Sequence, residues 1–264
     1  KRDVKSLLMQ AAGAKNPQGL QGILDSSDYI AFGHFNPRIS AKEFLDSPYM
    51  GALKLAAENF SGYFILGLFF NREMETQVAR LAAQQDYNIF AGNGGLIKRD
   101  PKRPTLVFLG PQPQMTASSL FVSSTMPNIL TGDLSVSDAL YTLIAMDGQG
   151  FFYDCPSWKT HTFFELARIL SESDVHTAYV FKNGSLLDFY NPEQPNLEAV
   201  AIRLGDLHIS ESYRKEMRGA LIAEIEKRFG MVPINTGKDG QGLYIPRGTT
   251  FLFQDAVEAV LHAL

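Results

Sequence analysis

Residues 62–70 read GYFILGLFF, nine positions with no charge and a single hydroxyl. An apolar run this long, without polar alternation, is the mark of a strand buried on both faces. Helix layers on both sides of a parallel sheet provide such a position. The run is far shorter than the roughly 20 apolar residues that a membrane-spanning helix needs.

The flanking sequence supplies the other parts of such a sheet. DYIAFGHF (28–35), YNIFAG (87–92), TLVFLG (105–110), NILTG (128–132) and GFFYDC (150–155) read as further strands. Between them, SAKEFLDSPYMGALKLAAENF (40–60) reads as a helix in two pieces around Pro48, opened by the capping-box pair Ser40 and Glu43. REMETQVARLAAQQ (72–85), PQMTASSLFVSS (113–124), SVSDALYTLIAMD (135–147) and THTFFELARILSES (160–173) also carry helical signals. Strand and helix thus alternate from about residue 60 to 173, which predicts an α/β fold: a Rossmann-like, mostly parallel sheet with crossover helices. Residues 1–13 read as a helix broken by KNPQG. After residue 174 the rhythm loosens into a hairpin around Asn183-Gly184, a helix over 210–230, a loop over 235–248 and a closing helix.

With 264 residues, 45% of them hydrophobic, the chain has enough apolar surface for a large core. A net charge of −4 and the lack of any Lys/Arg run argue against nucleic-acid binding. The single cysteine, Cys155, excludes an internal disulfide and a Cys-rich zinc site, and points to a reducing, cytoplasmic setting. No His pair has zinc-ligand spacing, and no signal peptide or transmembrane segment is expected.

In an open parallel sheet, ligands bind beyond the carboxyl ends of the strands. Four expected strand ends here carry polar or glycine-rich loops: 91–95, 110–114, 131–138 and 153–161. The third, Thr131-Gly132-Asp133-Leu134-Ser135-Val136-Ser137-Asp138, allows two readings. Asp133 or Ser135 caps the following helix and Asp138 sits in its first turn, or the same free N–H groups and hydroxyls hold a phosphate while a carboxylate accepts from sugar hydroxyls. Gly110 permits a sharp turn, with Gln112 a polar group in the crevice. Asn93 and Gly94 open a loop whose Lys98, Arg99, Lys102 and Arg103 meet a phosphate or, as the default, lie in solvent. Tyr153 and Trp158 offer rings for stacking and Lys159 offers a cation. Cys155 reads as an ordinary thiol more readily than as a nucleophile. His34, at a strand end, is either hydrogen-bonded structure or a general base.

Taken together, TLVFLGPQPQ, PNILTGDLSVSDAL and GQGFFYDCPSWK resemble the donor-binding half of GT-B glycosyltransferases over roughly residues 86–173. That resemblance implies a metal-independent transfer from a nucleotide-sugar to an acceptor, a small molecule or a protein, without a resident cofactor. It implies Gly110 and Gln112 near the diphosphate. Asp133, Ser135, Ser137 and Asp138 would hold phosphate, ribose or sugar, and Lys159 or Arg99 would face the leaving diphosphate. His34 would act as a base from the other lobe. Residues 86–264 would then be the donor domain and 1–85 an acceptor or truncated lobe. The Glu residues of the family's donor motif are absent, and Asp133 and Asp138 stand five apart. Two other classes fit the same pattern: a non-catalytic α/β protein-interaction module, and another Rossmann-like nucleotide-using enzyme, a hydrolase or epimerase.

Overall fold

The computed structural model describes residues 3–13, 17–35, 38–90, 100–130, 151–153, 197–205, 231–234 and 243–246. Two helices lead: α1 (Val4–Ala12) and α2 (Pro17–Asp25). Then come β1 (Tyr29–His34), α3 (Ala41–Leu45), α4 (Pro48–Asn59), β2 (Phe64–Leu68) and α5 (Arg72–Ala82). β3 (Asn88–Phe90), β4 (Thr105–Phe108), α6 (Gln114–Ser123), β5 (Asn128–Leu130) and β6 (Phe151–Tyr153) follow. Beyond them lie α7 (Leu197–Gly205) and an antiparallel pair, β7 (Met231–Ile234) with β8 (Leu243–Pro246).

The six strands β1–β6 form one sheet in the order β3-β4-β2-β1-β5-β6, and every adjacent pair is parallel. The α/β, Rossmann-like layout expected from the alternation is therefore present. β2 pairs with β4, and β1 pairs with β5, so strands from both sides of residue 85 share one ladder.

The winding follows from the strand order. β1→β2→β3 steps toward one edge of the sheet, and β4→β5 returns across β2 and β1. Right-handed crossovers put helices of opposite stepping direction on opposite faces. The contacts agree: α3 packs on α4 and α5, with α7 against α4, whereas α6 packs on α1 and α1 on α2. Both faces of the sheet are thereby covered, and all five residues of β2 are buried.

Local chemistry sets the helix starts. Ser40 and Glu43 close the reciprocal capping box: the Ser40 N–H donates to the Glu43 carboxylate at 2.8 Å and the Glu43 N–H to Ser40 Oγ at 3.2 Å. Ser47 caps α4 with Pro48 at the first helical position, so the helix breaks into two pieces around that proline. Asn71 accepts from the Met74 N–H at 2.9 Å and caps α5. Gly13 ends α1 with φ 52°, a left-handed cap that glycine adopts at least cost. In KNPQG the proline begins α2 instead of ending structure, since its missing N–H has no partner in a first turn, and Leu20, Ile23 and Leu24 bury that helix. β8 lies in a stretch read as loop, because Tyr244 and Ile245 find partners in Pro233 and Val232 across the hairpin.

Candidate functional site

Strand order marks two places at the carboxyl edge of this sheet where a crevice is expected. A crevice forms where neighbouring strands send their connections to opposite faces. This happens between β4 and β2, which lead into α6 and α5, and the strand order marks a second such point between β1 and β5, whose next strands in the chain, β2 and β6, lie to opposite sides.

The β4/β2 crevice is filled. Pairing continues past the strand ends, with the Leu109 N–H donating to Leu68 O at 2.9 Å and the Phe69 N–H to Gly33 O at 3.3 Å. Phe70 packs on Phe44 (ring centroids 5.3 Å) and on Phe108 (6.4 Å), and Phe35 closes on Phe44 at 4.4 Å. On the opposite face Phe69 lies 5.6 Å from Phe121. Gly110 makes the turn out of β4 at φ 64°. The Gln112 amide nitrogen donates to the carbonyl of Leu109 and to that of Ala11 at 3.3 Å, tying this loop to the end of α1. Gln112 thus uses its donors inside the protein. α6 opens at Pro113 with no side-chain cap.

The β1/β5 crevice is built differently. Gly33 pairs with Ile129 and His34 with Leu130, so both strands end side by side. Ile30, Phe32, Ile129 and Leu130 are buried, whereas the His34 side chain is exposed. The ladder is reinforced below. The Thr125 N–H donates to Ile30 O at 2.9 Å, and the Ile30 N–H to Thr125 Oγ1 at 2.8 Å. Asn128, 3% exposed, accepts the Phe32 N–H on Oδ1 at 2.9 Å. Its Nδ2 donates to Phe121 O at 3.2 Å and Ser124 Oγ at 3.0 Å. Tyr49 reaches the same region from α4, donating its hydroxyl to Pro127 O at 3.1 Å. Burial pushes that phenol well above its ordinary pKa, so it stays a donor at physiological pH.

Strand order decides which expected residues meet. β4 lies three strand positions from β5, about 14 Å at roughly 4.8 Å per strand. Gly110 and Gln112 therefore leave the sheet well away from the point where the chain enters Thr131-Gly132-Asp133. Phe90, the last residue before the loop of Asn93 and Gly94, is four positions from β5, about 19 Å. Tyr153 ends β6 in register with Leu130, next to the β5 end. His34, expected on a separate lobe, stands in the same sheet as that junction. Asn93, Gly94, Thr131, Gly132, Asp133, Ser135, Ser137, Asp138, Trp158 and Lys159 lie outside the described residues, as does Arg99.

The basic loop splits. Asn88, buried at the start of β3, donates to the carbonyls of Asp100 (2.7 Å) and Arg103 (2.9 Å) and accepts the Asp100 N–H at 3.1 Å. Residues 100–104 are thereby held at the amino edge of the sheet. There Lys102 donates to Glu58 O at 2.6 Å, and Arg103 pairs with Asp86 (2.9 Å) and Asp100 (3.0 Å). Lys102 and Arg103 sit on the edge opposite the crevices.

Sequence reading passed over Asn128 and Asn88. The signal was an asparagine opening an apolar run, NILTG and NIF, where a strand's first position faces the previous loop. Among the described residues, no group of three or more His, Cys, Asp or Glu is arranged to hold a metal ion, and no helix is long and apolar enough to cross a membrane. No known family model, no curated protein and no solved structure matches the chain.

Proposed function

We propose that the chain binds a nucleotide-sugar at the β1/β5 crevice and transfers the sugar to an acceptor, as the donor half of a GT-B-like glycosyltransferase. The observation that carries this reading is the register of His34 with Leu130. β1 and β5 flank the point where the strand order reverses, and doubly wound sheets take nucleotides at such a point.

Each residue has a role suited to its chemistry. In this reading Ser135 and Ser137 supply hydroxyl donors to phosphate, with Thr131 and Gly132 preceding them in the chain. Asp133 and Asp138 accept from ribose or sugar hydroxyls, since a carboxylate repels phosphate. Tyr153, at the end of the neighbouring strand, and Trp158 offer stacking surfaces. Lys159 offsets charge on the leaving diphosphate. Gly110 and Gln112 hold the β4 loop and belong to the scaffold.

Isothermal titration of the folded protein with UDP, GDP and CMP tests the reading. Binding of one nucleotide, weakened by Asp133→Ala, supports it; no heat with any of the three overturns it. Product analysis with the matching labelled nucleotide-sugar, with and without acceptor, separates transfer from hydrolysis.

A further inference from the structure

We draw no further inference here: the strongest candidate, the exposed apolar patch at Met115 on the uncharged helix α6, carries nothing because nothing in the structure shows what covers it.

Discussion

The side-chain oxygen of Asn128 accepts the backbone N–H of Phe32 at 2.9 Å, so a side chain completes the β1–β5 ladder where the short strand β5 begins. Asn128→Leu would leave the Phe32 N–H without its acceptor in a buried site, while the Ser124 hydroxyl still donates to Phe121 O. An unsatisfied buried donor costs about 1–3 kcal/mol. Urea denaturation should show a loss of that size. Nucleotide affinity should fall as well, because the same ladder aligns the ends of β1 and β5 at the proposed binding crevice. A variant with full stability would show that the pairing is not needed.

Gly67 allows a close approach. A Cβ built there would stand 2.6 Å from the Phe32 ring and 3.1 Å from a Leu109 methyl. Gly67→Ala should therefore destabilise by about 1–3 kcal/mol, as overpacked cores do. The measurement is the midpoint of chemical denaturation at unchanged slope.

Gln112→Ala separates scaffold from site. It frees the loop after β4 from the Ala11 carbonyl, at a cost of about 1 kcal/mol. Nucleotide affinity should stay within about twofold, since that loop leaves the sheet three strands from β5. A large affinity loss with little change in melting temperature would return Gln112 to the binding site.

The capping box predicts a pH dependence. Hydrogen bonds from Ser40, the backbone N–H first and the side chain second, hold the Glu43 carboxyl below its usual range. A lowered folded-state pKa means that the stabilisation is present above the ordinary glutamate range and is lost as pH falls through the lowered value. The difference in melting temperature between wild type and Glu43→Ala should be constant from pH 6 to 8 and shrink toward pH 3. A difference that grows on acidification would refute the assignment.

Six apolar segments, from DYIAFGHF to GFFYDC, are strands where their composition placed them, and Ser40, Glu43 and Pro48 mark helix starts as read. These features are local: a buried strand needs an unbroken apolar run and a helix start needs a side-chain acceptor, and both are visible within a few residues. Strand order is a different kind of property. Nothing in TLVFLG states that it pairs with FILGL instead of following NIF outward, because all these runs are equally apolar and a parallel ladder accepts any of them. Packing of α6 on α1, against α3–α5 with α7, settles that order. Strand order then sends Lys102 and Arg103 to the far edge, occupies Gln112 with Ala11, and brings His34 beside the end of β5. Residue chemistry was readable along the chain; which residues share a crevice depended on contacts between segments about 100 positions apart, such as Phe32 with Asn128.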